Sequence, residues 1–165
     1  MNQNKLFSGM SPEQIRTIKG QCSRKTFNAN DFIVREGEPG DEMFILEKGV
    51  ASGKVGSHAF ELPDEAVFGE VSLIEGGLRT ATIFARTDVM ALVLNEVGLE
   101  NVTLEDPFAT MKLLKNIAII LSERLRGANV TIKKEKLHSR QLESAQDDQP
   151  GIWDRLAATL SFSRQ

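Results

Sequence analysis

One cysteine and two histidines are all that this chain of 165 residues offers in soft or imidazole ligands. Cys22 therefore has no partner for an intramolecular disulfide, and His58 and His138 would need carboxylate support to hold a metal. No structural metal and no cofactor is expected. Long apolar runs are missing as well. The longest, Val89 to Leu94, has six residues, far below the roughly 18 that cross a bilayer. Met1 to Phe7 carries neither the basic stretch nor the apolar run of a signal peptide, so the expected location is cytoplasmic, with no membrane span. An excess of one charge is lacking too: 20 Lys and Arg face 23 Asp and Glu, a net of -3. That balance excludes a surface given over wholly to nucleic acid or anionic membrane. Catalytic signatures are absent in turn. No Ser or Cys stands in a nucleophile motif, and neither a P-loop nor a GxGxxG occurs, so the chain is not expected to be an enzyme.

What is present fits one soluble domain with an appendage, since 41% of the residues are hydrophobic and the length is that of a single core. Ser11 and Pro12 open a short helix to about Lys19, with Gln14 placed to close a capping box and Met10 and Ile15 a hydrophobic staple. Brief apolar runs then follow at 32–36, 43–47, 50–55, 59–62, 81–85 and 89–94, separated by Gly, Pro, Asn and Asp. They read as strands of a sandwich or jelly roll. Asp106-Pro107 starts a second, longer helix to about Lys136. Its Met111, Leu114, Ala118, Leu121, Leu125, Ala128 and Ile132 alternate spacings of three and four, the seam of a coiled coil or of a helix laid along a groove. Up to Leu121 the helix is also apolar at Leu113, Ile117, Ile119 and Ile120, so that half is expected to pack on the domain, while the half beyond Leu125 has only the narrow seam. Arg124, Arg126, Lys133, Lys134, Lys136 and Arg140 alternate with Glu123 and Glu135 and read as a solvated face. Polar residues up to Pro150 suggest a linker, and Ile152, Trp153, Leu156, Ala157 and Leu160 then share one helical face. That tail either docks on a protein partner, folds back on its own domain or stays disordered.

The stretch Phe68-Gly69-Glu70-Val71-Ser72-Leu73 followed by Arg79-Thr80-Ala81-Thr82 carries the chemistry. Gly69 allows a close approach of backbone to ligand, and the amides after it suit an anion. Arg79 brings a forked, permanent charge suited to phosphate, and Glu70 an acceptor suited to a hydroxyl. A ligand with one phosphate and one adjacent hydroxyl would use all three.

These residues resemble the cyclic nucleotide-binding domain family, whose pattern runs Phe-Gly-Glu-Leu-Ala-Leu and then Pro-Arg-(Ala/Thr/Ser)-Ala-(Thr/Ser). The opening Leu6-Phe7-Ser8-Gly9-Met10-Ser11 and the hairpin Glu36-Gly37-Glu38-Pro39-Gly40-Asp41-Glu42-Met43-Phe44-Ile45-Leu46 with Gly49 are similar too, so the likeness covers about residues 5 to 135. It implies an α+β fold: a β jelly-roll (double-stranded β-helix) flanked by a short N-terminal helix and a long C-terminal helix. Together with the polar segment and the tail read above, the expected domains are 1–136 for binding, 137–150 for a polar linker and 151–165 for a short amphipathic tail.

The resemblance also implies a sensor of cyclic AMP or cyclic GMP, with the base preference left open, that signals occupancy through the long helix to a partner. Arg79 would pair with the cyclic phosphate, and Glu70 would accept the ribose 2'-hydroxyl. Gly69, Val71 and Ser72 with Thr80 and Ala81 would supply the cradle, Thr80 also reaching the base. Leu78 stands where the family has proline. The segment between Val55 and Phe68 is short, which implies a trimmed strand pair. Too few residues follow the long helix for a helix-turn-helix domain, so DNA binding is not expected. The alternative is a nucleotide-independent scaffold that pairs through the seam, as a homodimer or with another protein.

Overall fold

The computed structural model describes residues 4–62 and 65–147, the stretch 131–147 as helix backbone alone. The chain divides at Ile120; the unit before it holds both sheets, and the described part of the unit after it is a continuing helix.

A 3-10 turn at Lys5–Phe7 leads into helix α1, Pro12–Gly20. Local chemistry sets that start: Ser11 Oγ accepts from the Gln14 amide and Gln14 Oε1 accepts from the Ser11 amide, both at 3.2 Å. Ile18 and the preceding Leu6, Phe7 and Met10 are buried. The lone thiol, Cys22, is half-buried just beyond, 3.3 Å from the Ile18 carbonyl oxygen, and burial pushes its pKa up to about 11.

Strands β1 (Ser23–Phe27), β2 (Phe32–Val34), β3 (Glu42–Lys48), β4 (Ala51–Val55), β5 (His58–Leu62) and β6 (Val67–Phe68) precede helix α2, Glu70–Glu75. Strands β7 (Thr82–Ala85) and β8 (Val89–Asn95) follow, then helices α3 (Glu96–Glu105) and α4 (Pro107–Asp147). The strands form two antiparallel four-stranded sheets, in the orders β1-β8-β3-β6 and β2-β7-β4-β5. This is the two-layer jelly-roll architecture expected from the sequence. Ile33, Val34, Phe44, Leu46, Phe68, Ile83, Val89 and Val93 meet between the layers. β8 lies between β1 and β3 and is buried on both faces, which is why its run is continuously apolar rather than alternating.

Several elements differ from the sequence reading. β1 went unrecognised because Ser-Arg-Lys-Thr-Phe is almost wholly exposed; pairing with β8 makes it a strand. The short segment after Val55 does not cost a strand pair, because β5 matches β4 over its full length across the two-residue turn Gly56-Ser57. β6 has two residues. At the far end α4 continues to Asp147, past the boundary near Lys136. Residues 137–147 contain neither Gly nor Pro, so the first part of the polar segment continues the helix instead of forming a linker. The Trp153 tail lies outside the described residues. Among the described residues no helix is long and apolar enough to cross a membrane.

The start of α4 is as expected, the Asp106 carboxylate accepting from the Ala109 amide at 2.9 Å. Its Ala109, Leu113 and Ile117 are buried. Asn116, on the same face, donates from Nδ2 to the carbonyls of Leu6 at 2.8 Å and Ser8 at 2.9 Å, fixing the helix to the beginning of the chain. The seam residues Met111, Leu114 and Leu125 are exposed.

Candidate functional site

Gly69 ends β6 in the left-handed region, with φ +78, and turns the chain into α2. Gly76, with φ +65, closes that helix, its amide donating to the Ser72 carbonyl at 2.9 Å. Ser72 Oγ, 3.3 Å from the Leu78 carbonyl oxygen, ties the helix to the loop that follows. That loop is zipped to the segment before β3. The Arg79 amide donates to the Glu38 carbonyl at 2.8 Å, the Gly37 amide to the Arg79 carbonyl at 2.9 Å, and the Gly40 amide to the Gly77 carbonyl at 3.2 Å. The backbone of Arg79 is thereby fixed from both sides, without the proline that usually stiffens this position.

The Arg79 side chain then turns inward and is 7% exposed. Nη1 donates to the carbonyl of Glu42 and, at 3.4 Å, to that of Gly69. Cζ lies 5.6 Å from the centre of the Phe44 ring, which stacks on Phe68 at 5.1 Å. Two glycines make room for it. A Cβ on Gly40 would fall 2.2 Å from Arg79 Nε, and one on Gly69 2.8 Å from Nη1. Burial pulls the guanidinium below its ordinary pKa, while the Glu42 and Asp41 carboxylates pull the other way. An arginine in such a setting keeps its charge.

A cavity of about 210 Å³ opens beside this guanidinium, lined also by Lys25 and Phe27 of β1, Val34 of β2 and Glu42 and Phe44 of β3. A larger, shallower recess of about 390 Å³ lies against Gly40, Asp41, Gly77, Leu78 and Glu96. Its rim is acidic, so it suits an anion less well than the cavity that Arg79 faces.

Of the seven residues singled out from sequence, Arg79 alone lines that cavity. Gly69 touches Arg79 through its carbonyl, and Glu70 and Ser72 are buried in α2, Glu70 at 2% exposure. Val71 is half-buried, Thr80 is exposed in the loop just before β7, and Ala81 packs against the core between the sheets. Sequence reasoning missed Lys25, Glu42 and Phe44, which reach the arginine only through strand register, and Gly40, whose signal was the Pro-Gly-Asp turn ahead of β3.

Comparison with known proteins places this geometry. The family model for the cyclic nucleotide-binding domain matches residues 24–106. The chain is 27% identical over 139 residues to the cyclic nucleotide-gated channel beta-3 of Canis lupus familiaris, covering 80% of this chain and 18% of that one. It is 26% identical over 119 residues to the cAMP-dependent protein kinase regulatory subunit of Dictyostelium discoideum, covering 68% of this chain and 36% of that one. The chain thus spans about a third or less of these relatives. In fold it is similar to a cyclic nucleotide-binding domain from Methylobacillus flagellatus, with a TM-score of 0.72 and 21% identity over 78% of this chain and 76% of that one. With half its length matched by the family model and the arginine loop folded against the jelly roll, the chain belongs to the cyclic nucleotide-binding domain family.

Proposed function

We propose that this chain is a regulatory module that binds cyclic AMP or cyclic GMP and passes ligand occupancy through α4 to a partner. The observation that carries the reading is Arg79: a buried guanidinium, held by backbone carbonyls at the mouth of a cavity, in a loop fixed on both sides. In this role Arg79 pairs with the cyclic phosphate and Glu70 accepts the ribose hydroxyl. The amides near Ser72 and at Thr80-Ala81 complete the cradle, with Gly69 allowing close approach and Val71 completing the first turn of α2. Thr80, exposed beside the arginine, is free to meet the base. Ligand moves α4 only so far as it binds two states of the chain with different affinities. The output is a protein partner, reached by α4 or by the Trp153 tail, or a second copy of this chain.

Isothermal titration of the purified chain with cyclic AMP and then cyclic GMP tests this. One ligand per chain is expected, bound more tightly for one base. Arg79→Ala should cost about 2 to 5 kcal/mol of affinity, the range for removing one partner of a buried charged pair, with the fold retained. Binding that survives Arg79→Ala unchanged would remove the site assignment. The second reading, a scaffold that works without nucleotide, is favoured by the exposed apolar side chains of α4, Phe108, Met111, Leu114 and Ile119. A folded chain that gives no heat with either nucleotide would establish that reading instead.

A further inference from the structure

Lys25 is a charged residue on the inner side of a sandwich. It shares a side of β1 with Ser23 and Phe27, and its register partner on β8 is Ala91, fully buried between the sheets. Its ammonium meets the Glu42 carboxylate at 2.8 and 3.0 Å and lies 5.9 Å from the centre of the Phe44 ring. That ring is the one beside which Arg79 sits, and one of its faces is covered by Phe68. Lys25, Glu42, Phe44 and Arg79 line a single cavity. Glu42 therefore serves two cations, Arg79 through its carbonyl and Lys25 through its carboxylate.

The two attachments differ in how easily they are released. The carbonyl contact is made by the buried Arg79 to part-buried backbone, whereas the Lys25 and Glu42 side chains are 44% and 26% exposed. A half-solvated ion pair is held weakly, so another anion can replace the carboxylate at little cost. Lysine suits such an exchange, being a point charge on a flexible stem.

We propose that Lys25 is a second phosphate-binding cation of this cavity and that the Glu42 carboxylate is the anion it gives up when a cyclic phosphate arrives. The proposal rests on the nucleotide reading above and adds to it a residue from β1, outside the arginine loop. The competing role for Lys25 is to guard the edge of the sheet, where an inward charge prevents pairing with a neighbouring chain.

The test is calorimetric titration of the full chain with cyclic AMP and cyclic GMP at low and high salt, for the unchanged protein, Lys25→Met, Glu42→Gln and the double variant. Lys25→Met keeps the apolar stem and removes the charge; Glu42→Gln keeps the carbonyl that Arg79 uses. Lys25→Met should bind about tenfold more weakly and with a shallower salt dependence, as for the loss of one charge-assisted hydrogen bond. Glu42→Gln should bind more tightly, because the competing anion is gone, and this gain should shrink in the double variant. A pair that only braces the sheet would shift both single variants in the same direction or neither. Lys25→Met binding as tightly as the unchanged chain, or Glu42→Gln binding more weakly, overturns the proposal while leaving nucleotide binding intact. An unchanged, folded chain that binds neither nucleotide overturns both. Melting curves confirm that each variant is folded, and the Glu42→Gln result decides the matter if Lys25→Met does not fold.

Discussion

Arg79 holds its place by exclusion as much as by attraction. Two hydrogen bonds to carbonyls orient it, but Gly40 and Gly69 are what leave the space. Gly40→Ala is accordingly a test that leaves the arginine itself intact. With a methyl group 2.2 Å from Nε, the guanidinium must leave its present position. Nucleotide affinity should then fall nearly as far as in Arg79→Ala while the melting temperature changes little, because the methyl displaces the tip of one side chain and no core residue. An affinity equal to that of the unchanged protein in the same titration would show that the ligand does not need Arg79 where the structure puts it. At this scale the sequence was informative only where neighbours in space are neighbours along the chain. Phe68, Gly69, Glu70 and Arg79 belong to one short stretch of chain and were legible together; Lys25, Glu42 and Phe44 come from other strands.

Among the elements the same division holds. The start of α1 was legible because Ser11, Pro12 and Gln14 settle it within one turn, and β8 was legible because burial on both faces leaves an unbroken apolar run. β1 had no such signal. Its residues are those of an exposed segment, and its identity as a strand lies in Arg24 opposite Leu92 and Thr26 opposite Met90. The far end of α4 was misplaced for the converse reason: polar residues that favour helix resemble those of a solvated linker. α4 also separates two apolar faces that the sequence presented together. Leu113 and Ile117 are buried, whereas Met111 and Leu114 of the three-four seam are exposed and, further on, Leu125 is 64% exposed. If that seam pairs with a second copy, Leu125→Glu should convert a dimer to a monomer in sedimentation, since it would bury an unpaired charge. A monomer before mutation would exclude self-pairing and leave the seam to another protein.

For the whole molecule, the placement of Asn116 matters most. Its amide joins α4 to carbonyls 110 and 108 positions earlier, so the long helix is anchored to the opening turn of the chain. If the tail is an output device, removing residues 150–165 should leave nucleotide affinity the same. A large loss of affinity on calorimetric titration would mean that the tail belongs to the binding site. The same overall architecture has a practical side at Cys22. Burial holds its pKa near 11, well above the ordinary thiol value, so almost none of it is thiolate at neutral pH. The chain therefore carries a chemically quiet sulfur. A cysteine introduced at an exposed position such as Ser57 should react with maleimides well ahead of Cys22, so that a dye can be placed at the β4–β5 turn without first removing a native residue.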